Sequence, residues 1–130
     1  MMEKVILVID DDEPMTWLLE KFLGRHYKVV TKPDGLSAMI WLKDRNIPDL
    51  IISDIKMPEI DGLEFLINLK KSGLYRDIPV IMFSGWGSSD QRAAALENGA
   101  LHFLEKPFNP EHLLELVKEA FESDEITMTN

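Results

Sequence analysis

With 130 residues, 45% of them hydrophobic and 28% charged, the chain is long enough to bury one core and too short for two. The absence of cysteine excludes a disulfide framework, a thiolate metal site and a cysteine nucleophile. A formal net charge of -9 repels phosphate backbones and anionic lipid, and the basic residues form no cluster or stripe, so neither direct nucleic-acid binding nor membrane binding is expected.

Val5 to Ile9 is an unbroken apolar run, far shorter than a membrane span, without a cleavage site and ending in Asp10, Asp11 and Asp12. It predicts a strand buried on both faces and a cytoplasmic protein. Met15, Leu18, Leu19 and Phe22 follow at helical spacing, with Pro14 in the first turn. Val29-Val30 is a weaker strand, and Ala38, Met39 and Leu42 mark a second helix. Leu50 to Ile52 predicts another buried strand and Phe65, Leu66 and Leu69 the helix after it. Val80 to Phe83 is a further buried strand, Asn98-Gly99 stops a helix, and Phe103-Leu104 is a short final strand. Asn109 and Pro110 read as cap and first residue of a last helix carrying Leu113, Leu114, Val117 and Phe121. Strand and helix alternate in five βα units, which predicts an α/β domain over residues 1–122: a five-stranded parallel sheet, doubly wound, with helices on both faces. Residues 123–130 are polar and lack periodicity, as a tail or the start of a linker would.

In open α/β sheets the ligand site lies beyond the carboxyl ends of the strands, where strand order reverses. The residues closing each apolar run are Asp10, Asp11 and Asp12, then Asp54, then Ser84 and Gly85, then Lys106 and Pro107. Each has an ordinary explanation alone: an acidic helix start, a loop aspartate, a turn hydroxyl, a solvated lysine. Together at one sheet edge they demand another. Two like charges about 4 Å apart repel by ~4 kcal/mol at a protein surface. Asp10, Asp11 and Asp54 therefore require either a proton on one carboxylate or a cation among them, and an all-oxygen set with room for water suits Mg²⁺. The Lys106 ammonium and the Ser84 hydroxyl are partners for phosphoryl oxygens.

Val8-Ile9-Asp10-Asp11, the stretch from Pro48 through Asp54 to Pro58 with Asp61-Gly62, Val80 to Gly85, and Gly99-Ala100 leading to Lys106-Pro107-Phe108 together resemble response-regulator receiver domains of two-component signalling, over roughly residues 4 to 122. The resemblance implies a chemotaxis-regulator-like, flavodoxin-like fold and a phosphoprotein that assists its own phosphorylation and dephosphorylation without being an enzyme. By that resemblance Asp54 accepts a phosphoryl group from a histidine kinase or histidine phosphotransfer protein. Asp11 and Asp54 hold Mg²⁺ directly, Asp10 acts largely through water, and the main-chain carbonyl of Lys56 completes the set. Ser84 and Lys106 hold the transferred group; Ser84 and Phe103 act as switch residues, remodelling the face of the fourth helix, fifth strand and fifth helix for an output partner. The bond before Pro107 is cis in such domains. They act as monomers or as phosphorylation-dependent dimers.

Ser84 stands where threonine is common, and Gly85 where alanine is usual, which opens the backbone beside the pocket. Lys56 and Trp86 occupy positions that vary in the family and influence hydrolysis; the bulk of Trp86 is expected to slow water attack. Phe103 lacks the hydroxyl a tyrosine would carry. The first helix has more apolar surface than one core-facing stripe needs, so Met15, Trp17 and Leu18 are candidates for docking the phosphodonor, in the region where the family docks it. His26, His102 and His112 form no metal spacing. Two rival functions remain: a phosphate-independent pseudo-receiver that only binds, and a haloacid-dehalogenase-like phosphatase with Asp10 as nucleophile. The second leaves the Asp54 segment unexplained, and Pro14 stands where that family usually has threonine or valine.

Overall fold

A computed structural model of the chain describes residues 3–57, 60–85 and 89–129, the last seven through their backbone. Five strands, β1 (Val5–Ile9), β2 (Lys28–Lys32), β3 (Leu50–Asp54), β4 (Val80–Ser84) and β5 (His102–Glu105), alternate with five helices. The helices are α1 (Glu13–Leu23), α2 (Gly35–Lys43), α3 (Gly62–Lys71), α4 (Ser89–Glu97) and α5 (Pro110–Thr129). All neighbouring strands run parallel in the order β2-β1-β3-β4-β5, so the chain reverses its direction of travel across the sheet between β1 and β3. That reversal leaves a crevice at the carboxyl ends of those two strands.

The period-two alternation of strand side chains divides the core into two layers. Ile6 and Val8, Leu50 and Ile52, and Ile81 and Phe83 face Leu19 and Leu23 of α1 and Leu113, Val117 and Phe121 of α5. Leu7 and Ile9, Ile51, and Val80 and Met82 face the other way, toward Ala38 and Leu42 of α2, Phe65, Leu66 and Leu69 of α3, and Ala95 of α4. Both faces of the sheet are covered, which is why the strands read as continuous apolar runs. Each fully buried Leu, Ile or Phe contributes about 1.5–3 kcal/mol.

Local chemistry sets the element ends. Asp12 caps α1 by accepting from the Met15 backbone N–H, with Pro14 in the first turn, and Asp34 caps α2 by accepting from Ser37 N–H at 2.7 Å. That backbone bond holds the Asp34 carboxyl below its usual range. Asn109 Oδ1 accepts from Glu111 N–H at 2.9 Å ahead of Pro110, and Gly99, at φ +103°, follows α4 as a stop. The helix α5 continues through the polar residues after Ser123 to Thr129, beyond the point where apolar periodicity ends. After Pro110 that stretch contains neither glycine nor proline, so nothing in it terminates the backbone pattern.

Gly62 joins fold to site. Its N–H donates to the Ile55 carbonyl at 2.8 Å, and a Cβ added there would lie 2.3 Å from the Asp54 carbonyl oxygen and 2.7 Å from Ile55 Cα. Those are backbone atoms at the end of β3, so a methyl group cannot be accommodated by rotating a side chain. Gly62→Ala should destabilise the fold by on the order of 3 kcal/mol, read as a lower urea midpoint. A midpoint equal to the parent's would show that α3 is free to retreat from β3.

Candidate phosphoryl-acceptor site

Three carboxylates converge where β1 and β3 end. Asp10 follows β1 and is anchored there by its own N–H, which donates to the Lys32 carbonyl at 3.1 Å. Asp54 is the last residue of β3, and Asp11 is exposed beside both. Oxygen atoms of the three lie within 4.8 Å of one another. Asp54 and Ser84 belong to their strands as final residues rather than to the loops that follow, so sheet hydrogen bonding fixes their direction.

Lys106, just past β5, reaches across this edge. Its Nζ lies 3.2 Å from Asp10 Oδ2 and 3.4 Å from Asp54 Oδ2, over the Phe83 ring at 4.8 Å. Its backbone N–H donates to the Ser84 carbonyl at 2.7 Å, which ties the ends of β4 and β5 together, and the Lys106–Pro107 bond is cis. Each remaining carboxylate oxygen has a backbone donor two residues on: Asp12 N–H to Asp10 Oδ1 and Lys56 N–H to Asp54 Oδ1, both at 3.1 Å.

The charges do not balance. Three carboxylates face one ammonium, so two negative charges remain uncompensated when all are ionised. Burial is the largest cause that raises the Asp10 pKa, to about 6; Asp54 adds to it, while the Asp12 N–H and Lys106 oppose it. Burial alone would lower Lys106, but Asp54 and then Asp10 outweigh it and raise the ammonium above its ordinary value. An oxygen-only donor set two charges in deficit fits a hard divalent cation. Beside it lies a cleft of about 290 Å³, lined by Asp10, Asp11, Glu13, Thr16 and Lys32 among others, onto which the exposed Asp11 opens.

The other expected site residues are less concentrated. Ser84, 1% exposed, donates its hydroxyl to Gln91 Oε1 of α4 at 3.0 Å. Phe103 is buried in β5, and Arg92 of α4 bonds its carbonyl at 3.2 Å with the guanidinium 6.0 Å from its ring. The side chain of Lys56 is exposed. Of the α1 candidates, Trp17 is 61% exposed and Leu18 39%, whereas Met15 is half-buried against the core. Trp86 and Pro58 lie outside the described residues. A Cβ at Gly85 would meet nothing within 4 Å among the described residues, so the alanine usual there would displace none of them. Gln91 and Arg92 had no signal in a single sequence, because neither lies in an apolar pattern or at a strand end.

The raised Asp10 pKa has a signed consequence for stability. A carboxyl whose folded pKa lies above its unfolded value of 3.8 binds more protons folded, so its ionisation opposes folding as pH rises through about 6. In chelator, Asp10→Asn should therefore be more stable than the parent at pH 7 by about 1–3 kcal/mol. The advantage should shrink as pH falls below 6 and vanish near 4, where the parent is itself protonated. Urea unfolding at the two ends of that range checks it, and an advantage independent of pH would mean that ionised Asp10 carries no such penalty.

The sequence matches the family model for the response regulator receiver domain over residues 6–118. It is 34% identical over 118 residues to the phosphate regulon transcriptional regulatory protein PhoB of Escherichia coli, covering 90% of this chain and 51% of that one. It is 32% identical over 114 residues to an uncharacterised 14.6 kDa protein from the sodA1 3′ region of Leptolyngbya boryana, covering 88% and 87%. The chain thus spans most of the one relative and about half of the other. Among solved structures it superimposes on a CheY-like receiver domain protein of Methanospirillum hungatei with a TM-score of 0.88 at 28% identity, over 97% of this chain and 99% of that one. With the family model reaching from β1 into α5 and the strand-end cluster in place, the chain belongs to the response-regulator receiver domains, the signalling modules of two-component systems.

Proposed function

We propose that this receiver accepts a phosphoryl group on Asp54, in a Mg²⁺-dependent transfer from the phosphohistidine of a histidine kinase or phosphotransfer protein, and that the modification changes a protein-binding surface. The observation carrying this reading is the placement of Asp54 at the strand-order reversal, one oxygen on a backbone N–H and the other on Lys106, with 11% of its side chain exposed. The rival nucleophile, Asp10, is held in the same way at both oxygens but has a side chain with no exposed surface.

In the transfer, an Asp54 oxygen forms a bond to phosphorus as the P–N bond breaks and the electron pair leaves with the imidazole nitrogen. Asp10, Asp11, Asp54 and the Lys56 carbonyl would hold the Mg²⁺, which when bound supplies positive charge against the phosphoryl oxygens. Lys106 neutralises charge on the same oxygens and Ser84 donates to them. The same groups would assist hydrolysis, with the chain acting as a signalling module rather than an enzyme. The exposed ring of Trp17 and the side chain of Leu18, flanked by Met15, are the surface offered to the phosphodonor. Residues 1–122 form the receiver unit, and 123–130 a tail or the start of a linker, helical to Thr129. With a net charge of -9 this domain itself is not a nucleic-acid binder. No helix among the described residues is long and apolar enough to cross a membrane, and we place the domain in the cytoplasm.

Intact mass after incubation with acetyl phosphate tests the reading. The parent should gain one phosphoryl group with Mg²⁺ and none with chelator, and Asp54→Asn should gain none. An adduct attached to Asp10 would overturn it in favour of a phosphatase-like site. No adduct under any condition would make the chain a binding module that works without phosphate.

A further inference from the structure

The helix α4 is attached to the sheet in a way the other helices are not. Among the described residues Ala95 is its buried side chain, a single methyl, where α3 buries Phe65, Leu66 and Leu69 and α5 buries Leu113, Val117 and Phe121. Its polar ties are correspondingly important and come from two consecutive residues. Gln91 accepts the Ser84 hydroxyl at 3.0 Å, and Arg92 donates to the Phe103 carbonyl at 3.2 Å. The first of these ends on the last residue of β4, whose carbonyl accepts the backbone N–H of Lys106; the second ends on the buried aromatic strand residue.

A serine hydroxyl has one proton to donate. It cannot donate to Gln91 Oε1 and to a phosphoryl oxygen on Asp54 at the same time. We infer that Gln91 is a positioning residue: by holding the Ser84 hydroxyl on α4 it opposes occupancy of the phosphoryl pocket, and breaking that bond when Asp54 is modified is what loosens α4. The inference rests on the proposed role of Asp54. It assigns to α4 a resting state maintained by a competing acceptor, so the strength of one hydrogen bond sets the bias between the two states. The partner that reads α4 and the site that receives the phosphoryl group are then coupled through Gln91, and each must shift the other by the same factor.

The test is a double-mutant cycle with beryllofluoride as the phosphoryl analogue, in Mg²⁺, read by titration calorimetry on the parent, Gln91→Met, Ser84→Ala and the double variant. Gln91→Met keeps length and removes the acceptor, and should bind beryllofluoride about two- to tenfold more tightly than the parent, the factor expected for losing one competing neutral hydrogen bond. In the Ser84→Ala background the same substitution should change affinity by less than about twofold, since there is no hydroxyl left to release. Backbone amide resonances of α4 in Gln91→Met without beryllofluoride should already lie part of the way to their positions in the bound parent, and Gln91→Ala should behave alike. Unchanged affinity in Gln91→Met, or an equal gain with and without the Ser84 hydroxyl, overturns the role of Gln91 while leaving Asp54 as acceptor. A parent that takes up no beryllofluoride overturns the Asp54 reading and the Gln91 inference together.

Discussion

One ammonium shared between two buried carboxylates organises this molecule's functional edge. Lys106 comes from the far side of the sheet, beyond β5, yet its Nζ sits between Asp10 after β1 and Asp54 at the end of β3. No local segment could bring those three groups together. Only the parallel sheet, with β3 and β4 interposed in fixed register, does so. Removing the ammonium would leave both buried carboxylates uncompensated, a loss of about 3–5 kcal/mol in known cases, whereas removing the Asp10 charge leaves Lys106 still paired with Asp54, and the intact set adds little net stability once desolvation is counted. The lysine is therefore better understood as holding the carboxylates ionisable and aimed than as fastening the fold.

The fold is fastened elsewhere, by apolar residues whose alternation along β1, β3 and β4 feeds two core layers at once. That division lets the strand ends carry polar groups without weakening the centre. Gly62 shows how tight the join is: α3 begins against the backbone of Asp54 and Ile55, so the residue proposed as the acceptor is also a packing surface. A site on a strand terminus is held more rigidly than one on a loop, and here both Asp54 and Ser84 are ladder residues.

Much of this was legible in the sequence because the signals were strong and local. The run Val5 to Ile9 coincides with β1, and the runs at Leu50 and Val80 start β3 and β4 where they were expected to start. Each of those two strands extends one or two residues further, to Asp54 and Ser84, because a polar residue can pair in the ladder as well as an apolar one. The edge strand β2 showed only Val29 and Val30, since Lys28 and Lys32 at its ends suit an exposed edge rather than a buried run. The carboxylates, hydroxyl and ammonium were found by position alone, after apolar runs. What a single sequence could not convey was pairing: that Lys106 bridges Asp10 and Asp54, that Met15 turns inward while Trp17 turns out, and that Ser84 reaches Gln91.

The helix α4 was marked in the sequence only by its stop at Asn98-Gly99, and the reason bears on the role inferred for it. A helix that, among the described residues, buries a single alanine leaves no apolar stripe to read. Burying a methyl contributes about 0.8 kcal/mol, which is no more than one net hydrogen bond of about 0.5–1.5 kcal/mol. In α3 or α5, where several large side chains are buried, the same hydrogen bond would be a small fraction of the attachment and its loss would move nothing. Elements at the low end of local stability are the ones a binding event can shift. The feature that makes α4 hard to predict, its lack of a core-facing pattern, is thus the one that, on the role inferred for Gln91, would let a change at Ser84 be felt along its length.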